Sequence, residues 1–190
     1  MKKRSSSIRP THGETTIVFD LETNGLLHDL TRIHCLSIHY LEEDQSETFN
    51  DEKDNKYSIT EGLSRLACAD TIIGHNIIGF DLPAIRGIYN FFSTSAATID
   101  TLILSRLFHP NLLDIDWRRK DRGLLKHMPL QLFGRHSLEA WGHRLNEYKG
   151  EFGKTTDWQV WTPEMELYCQ QDVVVTTKLL NHFIPKLCES

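Results

Sequence analysis

Two carboxylates set two residues apart, Asp20 and Glu22, follow the apolar run Thr15-Thr16-Ile17-Val18-Phe19. Along an extended segment, residues i and i+2 project to the same side. The two charges repel there unless a cation lies between them. A third carboxylate, Asp81, closes the segment Gly74-His75-Asn76-Ile77-Ile78-Gly79-Phe80-Asp81, between a short apolar run and a helical pattern. A fourth, Asp172, follows Tyr168 at helical spacing, so the two share a helix face. That face continues to Val175 and Leu179, and a carboxylate beside such a stripe needs a partner or a metal. Each acid has an ordinary reading of its own: a solvated strand end for Asp20 and Glu22, a helix cap for Asp81, a surface residue for Asp172. Taken together, four acids on three elements can converge on hard cations, which prefer oxygen ligands. Such a site suits two Mg²⁺ or Mn²⁺ ions acting on a phosphodiester. One activates the water, and the pair, about 3.5–4 Å apart, holds the attacking and leaving oxygens. The chain carries no His/Cys zinc spacing, no Gly-x-Ser-x-Gly elbow, no Walker A loop and no Gly-x-Gly-x-x-Gly.

The elements that must position these acids follow from local pattern. Thr15 to Phe19 is β-branched and aromatic and reads as a strand ending at Asp20, with Asn24-Gly25 as a turn. Ile33 to Tyr40 reads as a second strand and Glu47 to Phe49 as a third, before an acidic loop over 50–56. Ser58-Ile59-Thr60-Glu61 has capping-box spacing and opens a helix. Thr71 to Gly74 is a short buried strand. Asp81-Leu82-Pro83 starts a helix running toward Phe92, with the proline early, where its missing N–H does no harm. Further helices are expected at 101–108, at 137–145, and from Thr162-Pro163 to about Leu187, whereas 114–134 reads as irregular. Strands first, then strands alternating with helices, argue for an α/β fold with a mixed central sheet flanked by helices. Residues 1–13 read as a flexible basic tail and 14–190 as a single domain.

The chain has 190 residues, 39% of them hydrophobic and 25% charged, which is enough to bury a core without disulfide or metal staples. No run is long and apolar enough to cross a membrane. Met1-Lys2-Lys3-Arg4 is basic but lacks an apolar segment behind it, so it is not read as a secretory signal. The four cysteines are widely separated and read as reduced thiols in a cytoplasmic protein. The formal charge of −5 advertises no general attraction to nucleic acid, although acids gathered at a metal site can mask a local basic groove in that sum.

Three ordered blocks, Phe19 to Leu26, Gly74 to Asp81 and Tyr168 to Asp172, resemble the exonuclease motifs of the DEDD superfamily, and the Tyr four residues before the last Asp resembles its DEDDy branch. The segments Ile99 to His109, Phe133 to Gly142 and Asp172 to Thr176 are similar to the proofreading domain of family-A DNA polymerases from short-tailed phages, and the likeness spans about residues 15–182. This resemblance implies a ribonuclease-H-like fold and 3′→5′ exonuclease action on DNA ends with two divalent ions, as in proofreading or end trimming. It implies that Asp20 bridges both metals, that Glu22 and Asp172 complete the site of the water-activating ion, and that Asp81 holds the second. Tyr168 is implied to orient the attacking water. Leu26 matches the position of an apolar wedge against the terminal base, Phe80 the aromatic beside it, and Asn76 a polar contact to the strand end, with His75 next to it. The chain stops at Ser190 with no palm, fingers or thumb, so a free-standing enzyme is expected, in the host cytoplasm if phage-encoded. Its expected partners are single-stranded DNA 3′ ends and a separately encoded polymerase, with no membrane.

Outside those blocks, Arg118-Arg119-Lys120-Asp121-Arg122 is a local basic run. It reads as a phosphate-contacting loop, with Arg118 and Arg119 the candidates, or equally as a solvated loop. Two rival functions stay open: a DEDDy ribonuclease acting on RNA, and a non-catalytic module that binds DNA ends or a polymerase.

Overall fold

A computed structural model describes residues 14–52, 55–147 and 152–188, so the expected tail over 1–13 lies outside the described residues. The strands β1 (Thr16–Thr23), β2 (Ile33–Tyr40), β3 (Gln45–Phe49), β4 (Thr71–Gly74) and β5 (Ala97–Asp100) form one mixed sheet in the order β3-β2-β1-β4-β5. The pairs β1–β2 and β2–β3 are antiparallel, and β1–β4 and β4–β5 are parallel. The central strand is buried on both faces, as its unbroken apolar run requires. Ile17, Phe19 and Leu21 face a core shared with α1 (Ile59–Cys68) and α2 (Asp81–Ile88). Val18 faces the other way, onto Ile73, Val173 and Leu180. Strand alternation then places Asp20 and Glu22 on the Val18 face.

That second face is covered by the long helix α7 (Pro163–Cys188), which lies across β1 and β2. Pro163 occupies its first position, and the Thr162 hydroxyl accepts from the Met165 N–H at 3.3 Å, so the helix starts where its sequence asks it to. Val175, Leu179 and Phe183 bury its apolar stripe against α3 (Thr101–Phe108) and α5 (Leu138–Leu145). On the opposite face, α1 begins with the expected capping box at Ser58 and Glu61. A Cβ at Gly62 would come within 2.7 Å of Leu36 and 2.8 Å of Phe49, so glycine sets how closely this helix sits on the sheet.

Several boundaries differ from the sequence reading. β1 continues through Thr23, so Asp20 and Glu22 lie within the strand and not after it, held by pairing to Ser37 and Cys35 with a bulge at Glu22/Thr23. α2 stops at Ile88, short of Phe92. β5 was not expected; four residues, of which only Asp100 is buried, carry too short a pattern to read. The segment expected to be irregular contains α4 (Leu112–Asp121) and a short 3₁₀ turn at Leu130–Leu132. α4 escapes periodicity because only Leu112 and Asp116 are buried on it, and Asp116 is anchored by an ion pair instead of an apolar stripe. A four-residue helix, α6 (Phe152–Thr155), precedes the Trp158 loop.

Candidate active site

β1, the β4–α2 loop and α7 supply the candidate acids. Glu22, Asp81 and Asp172 are each buried, and Asp20 is half-buried. Asp20 and Glu22 lie together with Cys169, with one potential ligand atom from each of the three within 4.8 Å of the others. The thiol is not free to act as a ligand, since Cys169 donates through Sγ to the Asp20 carbonyl at 3.3 Å. Burial pushes its pKa well up, as do the Cys35 contact and the Asp20 and Glu22 charges, so it stays protonated. This leaves a hard, oxygen-rich donor set.

Asp81 is tied to the same place from the other side. It is the first residue of α2, and its own backbone N–H and that of Leu21, the residue between Asp20 and Glu22, act to lower its pKa. It is not the expected helix cap: Phe80 occupies the cap position and makes no side-chain cap bond. Burial, helped by the Asp100 and Asp172 charges and opposed by nearby backbone N–H groups, raises the Asp81 pKa to about 7. A buried carboxylate beside other carboxylates is what a divalent cation relieves. The residues present therefore fit a hard divalent metal.

Tyr168 stands one turn before Asp172 on α7. Its ring packs against Phe152 at 5.4 Å and edge-on to Trp158 at 6.3 Å between centroids. A Cβ at Gly153 would lie 3.0 Å from the Tyr168 hydroxyl, so glycine there permits the close approach of α6. The Trp158 loop is in turn fastened to the sheet: His34 Nε2 is 2.9 Å from the Trp158 carbonyl, and Gln159 donates to the Asn24 carbonyl at 2.7 Å.

The candidate substrate residues sit at the same end of the sheet. Leu26 is 63% exposed in the turn after β1, and Ile78, which sequence reasoning passed over, is 49% exposed in the β4–α2 loop. Asn76 is exposed with φ +67°, the left-handed region that asparagine tolerates. Its carbonyl accepts from the Gly79 and Phe80 N–H groups. Phe80 is half-buried against the core that α2 shares with β1. The Thr101 hydroxyl donates to the Gly74 carbonyl at 3.1 Å, so it accepts from His75 Nδ1 at 2.9 Å. Beside this loop opens a groove of about 570 Å³ lined in part by Asn76, Arg106, Arg135 and His136. Burial lowers the His136 pKa, leaving the two arginines as the groove's positive charge.

Arg118 and Arg119 lie on α4 and not on an irregular loop. Arg118 donates to the Asp114 carbonyl at 3.1 Å and Arg119 to the Arg144 carbonyl at 3.0 Å. The residues that sequence reasoning missed are Asp100, Cys169 and the Phe152–Gly153 part of the wall around Tyr168, whereas Trp158 reads from the sequence as core or lid packing. Only Asp100 left a signal, as an Asp immediately before a helical run.

The sequence matches the RNase_H_2 family, of the RNase_H superfamily, over residues 17–184. It is 33% identical to the DNA-directed DNA polymerase of Escherichia phage T7 and 32% identical to that of Enterobacteria phage T3. Each match covers 88% of this chain, and the chain spans about a quarter, 26%, of each polymerase. Among solved structures the fold is similar to Brucella melitensis NrnC with bound Mg²⁺, with a TM-score of 0.59 at 19% identity, covering 95% of this chain and 77% of that one. It is also similar to E. coli ExoI in a zinc-bound complex with single-stranded DNA, with a TM-score of 0.56 at 16% identity, covering 93% and 42%. With the mixed five-stranded sheet and the buried acids at its centre, these matches make the chain a member of the RNase_H superfamily, of its DEDD exonuclease type.

Proposed function

We propose that this protein is a metal-dependent 3′→5′ exodeoxyribonuclease that releases nucleoside monophosphates from single-stranded DNA ends. The observation that carries the reading is the convergence of carboxylates: Asp20 and Glu22 lie side by side on β1, and the buried Asp81 of α2 feels the Asp172 charge from α7. Two Mg²⁺ or Mn²⁺ ions held there would supply Lewis acidity and a water of lowered pKa. Asp20, Glu22, Asp81 and Asp172 would be the residues that hold them.

The remaining roles belong to the chain itself. Tyr168 orients the attacking water through its hydroxyl, held in place by Phe152 and Trp158. Leu26 and Phe80 pack against the terminal base, a contact worth about 1–3 kcal/mol per base and indifferent to sequence. Asn76 hydrogen-bonds the terminal nucleotide at the strand end through its base, and His75 braces the loop behind it. The upstream phosphates run along the groove of Arg106 and Arg135, which gives an acidic protein a local path for a polyanion. Arg118 and Arg119 lie beyond that groove as secondary phosphate contacts. The enzyme works in the cytoplasm, alongside a DNA polymerase in replication, as its phage polymerase relatives suggest.

The first test is Asp20→Ala on DNA carrying a 3′-terminal label. Release of labelled mononucleotide is expected to fall by about 10³-fold or more, beyond the cost of losing one oxyanion-hole donor, with the thermal transition unchanged. A variant that trims as fast as wild type removes the site assignment.

A further inference from the structure

Asn76 and Phe80 of the β4–α2 loop and Asp81, the first residue of α2, fall within six residues, so one short segment sets both the strand-end contacts and one proposed metal ligand. Ile77 anchors the loop in the core, but on either side of it Asn76 holds a left-handed backbone and Ile78 is exposed. What fixes the loop is a carboxylate that is not itself among the candidate ligands. Asp100, at the end of β5, is 5% exposed, and both of its oxygens are used. Oδ1 accepts from the Asn76 N–H at 2.9 Å, and Oδ2 from the Ile78 N–H at 3.1 Å. Oδ1 also accepts from the Leu102 N–H at 2.9 Å, which caps α3. Parallel pairing of Gly74 with Asp100 delivers the carboxylate to the loop as it leaves β4.

We propose that Asp100 is a positioning residue that holds Asn76 and Phe80 in the geometry that captures the terminal nucleotide. The inference rests on the exonuclease reading above and deepens it. Asp81 is set separately, at the start of a helix that buries Leu82, Ala84 and Ile85 in the core. For Asn76 the turn bonds to its carbonyl come from Gly79 and Phe80 of the same loop, and the bond to its N–H comes from Asp100. Loss of the Asp100 bonds therefore frees the base-contacting residues more than the metal ligand.

Asp100→Asn separates the two. The amide keeps one acceptor oxygen but turns its NH₂ toward a backbone N–H, so one side of the brace is lost at nearly constant volume. Kinetics are read on two single-stranded DNA substrates in Mg²⁺, one with a normal 3′ nucleotide and one with an abasic 3′ end, which has no base for Phe80 or Asn76 to contact. On the normal end KM is expected to rise about tenfold with kcat reduced less than threefold. On the abasic end the variant and wild type are expected to share the same KM. Asn76→Ala combined with Asp100→Asn is expected to cost little more in KM than either change alone. An equal loss on both substrates, in proportion to any fall in thermal stability, overturns the positioning role and leaves a purely structural one. Unchanged KM on both substrates also overturns it. Wild-type protein that leaves both substrates intact overturns the exonuclease reading, and this inference with it.

Discussion

At Asp81, burial and neighbouring charge act together against ionisation. Its pKa is raised from the ordinary carboxylate value to about 7, so the metal-free folded protein keeps a proton that the unfolded chain has lost. The sign follows from linkage. This group's contribution to stability is fully present below about pH 4 and is lost as pH rises through about 7. A divalent cation reverses the preference, because it needs the carboxylate ionised. The metal-free thermal midpoint of wild type is therefore expected to fall between pH 4 and 8 more steeply than that of Asp81→Asn. Added Mg²⁺ at pH 8 is expected to raise the wild-type midpoint by several degrees and the variant's by less. Parallel curves for the two proteins, with and without metal, would remove Asp81 from the metal site. Cys169 shows the limit of residue-type reasoning at this scale. It meets Asp20 and Glu22 closely enough to be taken for a ligand, yet its thiol proton is committed to the Asp20 carbonyl.

At the scale of elements, the α4–α5 layer packed beside α7 is organised by a buried ion pair. Arg144 of α5 donates twice to Asp116 of α4, at 2.9 and 2.7 Å, and both side chains are fully buried. The same pair fixes the segment leading to the groove: Gly134 N–H donates to Asp116 at 2.8 Å, and Arg144 donates to the Arg135 carbonyl at 2.8 Å. Asp116→Ala strands a buried guanidinium and is expected to cost about 3–5 kcal/mol in urea unfolding. A loss below about 1 kcal/mol would show that water reaches Arg144 and that the pair does not hold α4. These residues also explain what was hidden in the sequence. The helices with caps or apolar stripes, α1, α3, α5 and α7, were legible from Ser58, Ser137, Thr162 and the Val175–Leu179 spacing. α4 was not, because its single buried anchor on that face is polar and its partner lies on another helix. β5 was not, because its four side chains carry no alternation and its role, presenting Asp100 to the loop, depends on pairing with β4.

At the scale of the whole molecule, a chain of net charge −5 has to bring a polyanion to a cluster of carboxylates. The fold answers by separating the two signs, with the acids recessed under α7 and the arginines of the groove beside the strand-entry loop. The acids themselves were legible in the sequence, because chemistry restricts them to a few residue types at strand and helix ends. Their supports were not, because Gly153, Trp158 and Asp100 are ordinary residues until tertiary packing gives them work. Among the described residues no helix is long and apolar enough to cross a membrane, which agrees with the expectation drawn from the sequence. The measurement that tests the account most directly is a time course on 5′-labelled single-stranded DNA with Mg²⁺, resolved to single nucleotides, run beside RNA of the same sequence and a sample containing EDTA. A ladder descending one nucleotide at a time on DNA, slower on RNA and absent with EDTA, is the predicted result. Internal cuts, shortening only of the RNA, or cleavage that persists in EDTA would contradict it.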